Sequence, residues 1–394
     1  MRALSILIFF LTSSFVLAQK APHTLSPNAE ISVLTIGAGP ELYDSFGHTA
    51  VRVRDFRQGI DIVFNYGLFD FDTPNFYTKF AQGKLLYRLG ISHFDDFLAN
   101  YIEQQRLITS QKLIQSPKEK QALFSFLLNN AKKENSKYLY DFLYDNCATR
   151  PANAINNIYT KDIFTDFTPE IEGLSHRDLI QQNVPWNTWG SFGMDIAIGS
   201  VTDRPVSNKE YLFLPEYTME ALSTAQGTNG AITAPAQILY EPKTLNTYKE
   251  NVLFSPLVIF CIIALILLYN TYLDYRNKRG IRLIDKLILG ITGFIGILLA
   301  LLWFATDHSP TKWNYNILWA FPFHLIAAFT IKRSANKKWL YPYIKLSLIL
   351  LVLLIFHWIV GVQGYPITLA PLLIALGVRY SYLIGALKKT IDDA

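Results

Sequence analysis

The sequence predicts an exported α+β domain followed by an all-α bundle of five transmembrane helices. Three observations support this fold class. The first residues form an apolar segment of the secretory type, the next two hundred or so mix polar and apolar residues in strand-like and helix-like runs, and from about Val252 the chain becomes strongly hydrophobic. Apolar runs of about 20 residues are the length that a helix needs to cross a bilayer.

The N-terminal segment 1–18 is predicted to be a secretory signal peptide. Arg2 supplies a short positive region, an apolar run follows, and Ala18 ends a cleavage site of small residues. An uncleaved anchor helix is the alternative. In either case the domain that follows, residues 19–250, is expected in the periplasm.

The hydrophobic part, residues 251–394, is predicted to cross the membrane five times. The third span is the shortest and lies near the lower limit for crossing a bilayer. The predicted spans are residues 252–272, 283–305, 315–331, 340–362 and 367–387.

The basic residues predict the orientation of these spans. Lysine and arginine are concentrated in the loops after spans one, three and five, whereas the two alternate loops carry only Lys312. Basic loops face the cytoplasm. The sequence therefore predicts a multi-pass protein of the inner membrane, with its N-terminal domain in the periplasm and its C-terminus in the cytoplasm. The same loops explain the formal net charge of +5 at pH 7 without a nucleic-acid partner.

Two strand-like runs in the exported domain, residues 48–55 and 60–67, predict a β-hairpin. If Asp55 pairs with Ile60, one face of the hairpin is largely apolar and should face the core, while the other face is polar. A shift of one residue would mix the two sets, so the pattern favours this register.

This register also predicts two contacts on the polar face. Arg54 lies directly opposite Asp61, which predicts a cross-strand ion pair. Asn65 is the diagonal neighbour of His48, close enough to accept a hydrogen bond from the imidazole and to fix its tautomer, as the orienting residue of a catalytic triad does. Taken singly, an ordinary surface histidine is the favoured interpretation of His48, and a polar residue near a turn that of Asn65. Their coincidence on one polar face makes the catalytic interpretation an equal alternative.

The exported domain contains one of the two cysteines of the chain, Cys147, while Cys261 lies in the first predicted span. A lone cysteine in an exported domain lacks a disulfide partner within that domain. Two interpretations remain: a buried cysteine that acts as a small hydrophobic residue, and a nucleophile.

The residues around Cys147 favour the nucleophile. Asp145 or Asn146 is the expected N-cap of a helix whose first turn contains Cys147, and Pro151 is tolerated only near a helix start. A helix N-terminus lowers the pKa of a thiol, and its free N–H groups can hold an oxyanion. We therefore expect Asn146 and Asp145 to support the thiol or the oxyanion.

The order of His48, Asn65 and the Asn146–Cys147 pair resembles that of circularly permuted papain-like (NlpC/P60-like) hydrolases and acyltransferases. More specifically, the chain resembles the bacterial Lnb-type lipoprotein N-acyltransferases, which join such a periplasmic domain to a five-helix membrane domain. The resemblance covers nearly the whole mature chain. Its motifs are Ser45-Phe46-Gly47-His48, Asn65-Tyr66-Gly67, Tyr140-Asp141-Phe142, Asp145-Asn146-Cys147-Ala148-Thr149-Arg150, Pro185-Trp186, Phe192-Gly193-Met194-Asp195 and Phe213-Leu214-Pro215.

The resemblance implies a permuted papain-like fold for the exported domain and acyl transfer as the activity. Cys147 would take an acyl chain from a membrane phospholipid as a thioester and pass it to the α-amine of a diacylglyceryl-cysteine apolipoprotein. His48 would act as the base and Asn65 as its orienting residue. No cofactor is implied, and no spacing of His, Asp or Glu in this domain resembles a metal-ligand set.

The outward loop before the third span contains four candidate substrate-binding residues: Asp307, His308, Asn314 and Asn316. Polar residues near or inside the bilayer often mark functional sites. The alternative is ordinary interfacial polarity combined with aromatic anchoring.

Two other functions remain open from the sequence. One is a cysteine amidase or peptidase that acts on cell-wall peptide, which papain-like domains often are. The other is a membrane receptor or scaffold with a buried thiol.

Overall fold

The computed structural model describes residues 24–227, 230–244, 248–281, 283–331 and 339–392. The predicted signal peptide lies outside the described residues, as does most of the basic loop predicted after the third span. A sheet-containing domain comes first and a helical domain follows, which confirms the predicted order. The permuted papain-like topology of the first domain stays a prediction.

A seven-stranded sheet forms the centre of the first domain, and every neighbouring pair in it is antiparallel. Its order is β6-β4-β3-β2-β1-β5-β7, for the strands β1 (Glu30–Ile36), β2 (His48–Asp55), β3 (Ile60–Leu68), β4 (Leu86–His93), β5 (Ile108–Lys112), β6 (Lys137–Leu139) and β7 (Gln237–Tyr240).

The helices of this domain lie in the connections between strands and after the sixth strand. A capping box is present at Ser116 and Glu119, with Pro117 at the first helical position. The α-helices are α1 (Phe76–Ala81), α2 (Phe94–Glu103), α3 (Pro117–Asn130), α4 (Thr149–Asn156), α5 (His176–Asn183), α6 (Trp189–Ala197) and α7 (Pro215–Thr224).

The register of the β2–β3 hairpin is the predicted one, with Asp55 opposite Ile60 and Arg54 opposite Asp61. The predicted Arg54–Asp61 ion pair is wrong. Asp61 instead accepts two hydrogen bonds from Arg52, at 2.6 and 2.7 Å, and Arg54 pairs with Glu30 at 2.6 Å. Glu30 lies directly opposite Arg54 on the other neighbouring strand, β1, so two carboxylates were available to this arginine.

Both faces of the sheet are covered. The predicted apolar face contributes Val51, Val53 and Phe64 to the main core, which packs against α3. The opposite face contributes Ala50 and Val63 to a smaller core under α2. The polar residues of the hairpin lie on this second face, and His48 stands at its edge, where β2 begins.

The helical domain contains four helices that are long and apolar enough to cross a membrane, within the residues that the structure describes. They are α8 (Pro256–Arg276), α9 (Leu283–Phe304), α11 (Leu340–Ile359) and α12 (Ala370–Asp392). Four of the five predicted spans therefore correspond to long helices.

The third predicted span is not a continuous helix, which corrects the prediction for residues 315–331. A 3-10 turn at Tyr315–Leu318 is followed by the short helix α10 (His324–Thr330). Pro322 lacks the N–H group that a continuous helix needs there. Irregular backbone at membrane depth must be buried in protein, and Gly296 of α9 permits this, since a Cβ there would lie 1.9 Å from the carbonyl oxygen of Ala320.

An ion cluster joins three of the long helices. Arg379 of α12 is fully buried and donates to Asp285 of α9 at 2.7 and 2.8 Å and to Asp274 of α8 at 2.9 Å. A buried arginine is stable only when it is paired and hydrogen-bonded in this way.

Candidate active site

The candidate site lies at one end of the hairpin. His48 is the first residue of β2, and Gly47 precedes it with a φ of +73°. A side chain at position 47 would meet the carbonyl oxygen of Ile36 at 2.6 Å, so the turn that delivers His48 requires glycine.

His48 contacts both of its predicted partners. Its Nε2 donates to Oδ1 of Asn65 over 2.6 Å, which leaves Nδ1 as the ring nitrogen available to the thiol. The ring is also in hydrogen-bond contact with Cys147 and stacks on Tyr101, with ring centroids 6.2 Å apart. The structure thus brings together three residues that are up to 99 positions apart in the sequence.

Cys147 lies in the loop that enters α4, just before the helix itself. The helix begins at Thr149, so Cys147 precedes the first turn that the sequence predicted for it. Ala148 is the N-cap, in place of the predicted Asp145 or Asn146. The side-chain oxygen of Asn146 nevertheless accepts from the backbone N–H groups of Ala148 and Thr149 at 2.8 and 2.9 Å. The thiol therefore stands beside the start of the helix.

The side chains of Asn146 and Asp145 hold this loop in place. The Nδ2 of Asn146 donates to the carbonyl groups of Phe142 and Phe213, both at 2.8 Å. Asp145 accepts two hydrogen bonds from Arg150 at 2.6 and 2.7 Å. Both polar groups of Asn146 are occupied, so its side chain supports the loop and offers no free donor to an oxyanion.

Tyr140, for which the sequence predicted no role, also contacts the thiol. The hydroxyl of Tyr140 and the backbone N–H of Thr49 are both in hydrogen-bond contact with Cys147, and the Tyr140 ring stacks on Tyr87, with centroids 4.5 Å apart. Burial raises the pKa of Tyr140 well above its ordinary value. Its hydroxyl therefore keeps its proton at neutral pH and can donate a hydrogen bond to a sulfur or oxygen anion.

The electrostatics of the site favour an ion pair between sulfur and imidazole. Burial by itself opposes the charged forms of Cys147 and His48, but each group carries the charge that stabilises the other. The net effect lowers the pKa of the Cys147 thiol and raises the pKa of the His48 imidazole. A lowered thiol pKa is what distinguishes a reactive cysteine from one that only fills space.

The thiol opens into a cavity of about 430 Å³. His48, Cys147 and Asn146 form part of its wall, together with Arg106, which donates to Asp44 at 2.8 Å. The rest of the lining is largely aromatic and aliphatic and includes Phe46, Phe69, Phe80, Leu85, Tyr87, Tyr101, Tyr140, Phe142, Met194, Phe213 and Pro215. An apolar cavity with a few polar groups at one point suits a ligand with a hydrocarbon chain and one reactive group.

The four candidate substrate-binding residues divide into two pairs. His308 lines the cavity, and its Nε2 donates to the carbonyl oxygen of Phe80 at 3.0 Å. The backbone N–H of the adjacent Asp307 donates to Gln82 at 2.8 Å. This loop of the helical domain therefore completes the cavity of the first domain.

Asn314 and Asn316 are instead buried at the joint between the two domains. The Nδ2 of Asn314 donates to the carbonyl groups of Ile196 and Ala197 at 2.7 and 3.0 Å, and the Nδ2 of Asn316 donates to Ile196 at 3.3 Å. These carbonyls end helix α6, where a helix leaves its acceptors unpaired. Both side-chain amides thus form hydrogen bonds between the two domains, and neither residue lines the cavity.

Comparison with known families identifies both domains. A family model described as the Lnb N-terminal periplasmic domain matches residues 20–182, and one described as the Lnb transmembrane domain matches residues 248–390. The chain belongs to the Lnb family of lipoprotein N-acyltransferases. No curated protein and no solved structure matches the chain.

Membership of the Lnb family confirms a membrane protein with a periplasmic N-terminal domain and a lipoprotein as substrate. It also selects among the functions that the sequence left open, because it favours an acyltransferase over a cell-wall amidase and over a receptor or scaffold.

The contact between His48 and Asn65 leads to a first prediction. Asn65→Ala should lower the rate of acyl transfer by roughly 10- to 100-fold, because the imidazole loses the acceptor that fixes its ring orientation. Asn65→Asp keeps an acceptor oxygen at this point and should retain most of the activity. The measurement is the pH profile of the acylation rate for both variants. Full activity of Asn65→Ala would mean that another group orients His48.

Proposed function

We propose that this chain transfers an acyl chain from a membrane phospholipid, through a thioester on Cys147, to the α-amine of a diacylglyceryl-cysteine apolipoprotein. One observation carries the proposal: an activated thiol faces an apolar cavity whose wall includes His308, a residue of the membrane domain. Both substrates are amphiphiles of the membrane beside this cavity.

In the first half-reaction the Cys147 thiolate attacks the ester carbonyl of the phospholipid. A C–S bond forms, the ester C–O bond breaks, and His48 gives its proton to the departing alcohol, which leaves as a lysophospholipid. The oxyanion of the intermediate needs hydrogen-bond donors. The Tyr140 hydroxyl is one candidate, and the backbone N–H of Cys147 is another, since it has no partner within the described part of the chain.

In the second half-reaction the amine of the apolipoprotein attacks the thioester. A C–N bond forms, the C–S bond breaks, and His48 takes the proton that the amine loses. The enzyme returns to its starting state with the thiolate beside the imidazolium. Asn65 acts in both halves by holding the imidazole through Nε2.

The orientation in the membrane is part of the proposal. A periplasmic active site requires the Phe304 end of α9 to be the periplasmic end, because the loop that follows it reaches the cavity. The basic loops then lie on the opposite side, and the C-terminus after α12 lies in the cytoplasm.

Reconstitution tests this function. The full chain is placed in vesicles that contain a phospholipid with an isotopically labelled acyl chain, and a diacylated lipopeptide is added as acceptor. Mass spectrometry should find the label on the peptide α-amine and one lysophospholipid for each amide formed. Without the acceptor, the label should remain on the peptide that contains Cys147. Hydrolysis of a cell-wall peptide in place of acyl transfer, or acyl transfer without a labelled Cys147, would contradict the proposal.

A further inference from the structure

An exposed cluster of aromatic rings borders the cavity. The segment 69–82, here called the aromatic loop, consists of the connection after β3, helix α1 and its C-cap Gln82, and contains five aromatic residues. Their rings pack on one another, with centroid distances between 4.8 and 6.2 Å. Only Phe76 is buried, while the exposed fractions are 41% for Phe69, 68% for Phe71, 80% for Tyr77 and 52% for Phe80. Apolar patches of this kind mark surfaces that contact a partner or a membrane.

Hydrogen bonds fix the aromatic loop to the outer end of a membrane span. Phe80 accepts from His308 at 3.0 Å, and Gln82 accepts from the N–H of Asp307 at 2.8 Å. These two donors follow closely after Phe304, the last residue of α9. A helix of 22 residues is about 33 Å long, close to the ~30 Å of a bilayer core. The aromatic loop therefore lies at the periplasmic surface of the membrane.

The membrane domain carries an aromatic belt at the same end of α9. Trp303 packs on Phe304 and on Trp313, with centroids 4.6 and 5.3 Å apart. Tryptophan and other aromatic residues are enriched where a membrane protein meets the head-group region. The aromatic loop continues this belt onto the periplasmic domain.

The same loop forms part of the cavity wall. Phe69 and Phe80 line the cavity together with His308, and Cys147 lies on the same cavity. Two of the exposed rings of the aromatic loop thus belong to the wall of the cavity that contains the thiol.

We propose that the aromatic loop inserts into the outer leaflet of the membrane and forms, with His308, the opening through which a phospholipid acyl chain reaches Cys147. The evidence for insertion is the exposure of the rings and the hydrogen bonds that link the aromatic loop to the residues after α9. The passage of the acyl chain rests in addition on the proposed function.

A fluorescent probe tests the insertion without any use of activity. Tyr77→Cys is labelled with an environment-sensitive dye in a full-length Cys147→Ser, Cys261→Ser background and placed in phospholipid vesicles. We expect a blue-shifted emission and quenching by lipids with a spin label on the acyl chain. Phe56→Cys is the matched control, because Phe56 is 79% exposed and lies in the turn at the far end of β2. Equal, water-like signals at the two positions would overturn the proposal. A blue shift at position 77 without quenching by the spin-labelled lipids would also overturn it, because a protein partner would then cover the loop.

Kinetics test the passage of the acyl chain. For Phe71→Ser combined with Tyr77→Ser, we compare thioester formation on Cys147 from vesicle phospholipid with that from a short-chain ester dissolved in water. The ratio of the two rates should fall by roughly tenfold or more, because only the lipid substrate uses the inserted rings. Phe56→Ser should leave the ratio unchanged. A ratio equal to that of the wild type would overturn the role in lipid entry.

The two experiments also separate this proposal from the proposed function. If the wild type forms no thioester from phospholipid while the probe at position 77 reports the membrane interior, the acyl-transfer mechanism is wrong and the insertion stands. If the thioester forms and the probe reports water, the insertion is wrong and the mechanism stands.

Discussion

Replacing Cys147 by alanine should abolish N-acylation of lipoproteins, with a loss of roughly 10⁴-fold or more in the transfer rate. In the proposed mechanism every transferred acyl chain is bound to this sulfur, and no neighbouring group can replace it. His48 and Tyr140, which contact the thiol, can hold or donate protons but do not form the thioester. The measurement is mass spectrometry of lipoprotein N-termini, which should remain diacylated in cells whose N-acyltransferase carries Cys147→Ala.

The chain provides its own control for this experiment. Cys261→Ala removes the only other cysteine, which lies in α8 and outside the cavity, and should leave N-acylation unchanged. Cys147→Ser, which keeps the size of the side chain, should also be inactive because its hydroxyl ionises far above the thiol range. Triacylated lipoproteins in cells whose only N-acyltransferase is the Cys147→Ala variant would contradict the assignment of Cys147 as the nucleophile.

The local part of the site could be predicted because it depends on one hairpin. The alternation of polar and apolar residues fixes the register of β2 and β3, and the register in turn makes Asn65 the diagonal neighbour of His48. Strand periodicity is short-range information, and a shift of one residue would have exposed the apolar face. A helix start close to Cys147 could be predicted for a similar reason, since Asn146 and Pro151 are local signals, although the helix begins only at Thr149.

Contacts that depend on the tertiary structure could not be predicted in the same way. The sequence does not reveal that β1 lies beside β2, so the competition of Glu30 for Arg54 was not visible. The contact of Tyr140 with the thiol depends on the loop before Cys147 folding back on itself, where Asp141 pairs with Asp145. Neither relation has a signal in the spacing of residues.

The membrane domain shows the same limit. Hydrophobicity identifies segments that are buried in the membrane, but it does not distinguish a spanning helix from a shorter, interrupted one. Residues 315–323 are such an interrupted segment, with a 3-10 turn before Pro322 and a helix only from His324. The four polar candidates near this segment looked alike in sequence. Only His308 lines the cavity, whereas Asn314 and Asn316 bind the end of α6.

Replacing His48 by alanine should raise the pKa of the Cys147 thiol and lower the acyl-transfer rate by roughly 10²- to 10⁴-fold. In the wild type, burial opposes the thiolate, and the charge and hydrogen bond of His48, together with the hydrogen bonds from Thr49 and Tyr140, more than compensate, so that the pKa is lowered. The variant keeps the burial and loses the charge. The thiolate of the variant should therefore form only at higher pH than in the wild type.

The rate of alkylation by iodoacetamide, measured against pH on a Cys261→Ala background, reports this shift directly because only the thiolate reacts. The midpoint should lie below the ordinary thiol value of about 8.5 in the wild type and above it in His48→Ala. His93→Ala is the control, since this exposed histidine lies outside the cavity, and its profile should match the wild type.

The acyl-transfer rate itself should depend on pH in a bell shape. It falls on the acid side as the Cys147 thiol becomes protonated, and on the alkaline side as the imidazolium of His48, whose pKa is raised, loses the proton that the departing alcohol needs. Since His48→Ala removes the second group, its alkaline limb should disappear while its acid limb moves to higher pH. An unchanged alkylation midpoint in this variant would mean that the helix start and the donors Tyr140 and Thr49 activate the thiol without the imidazole.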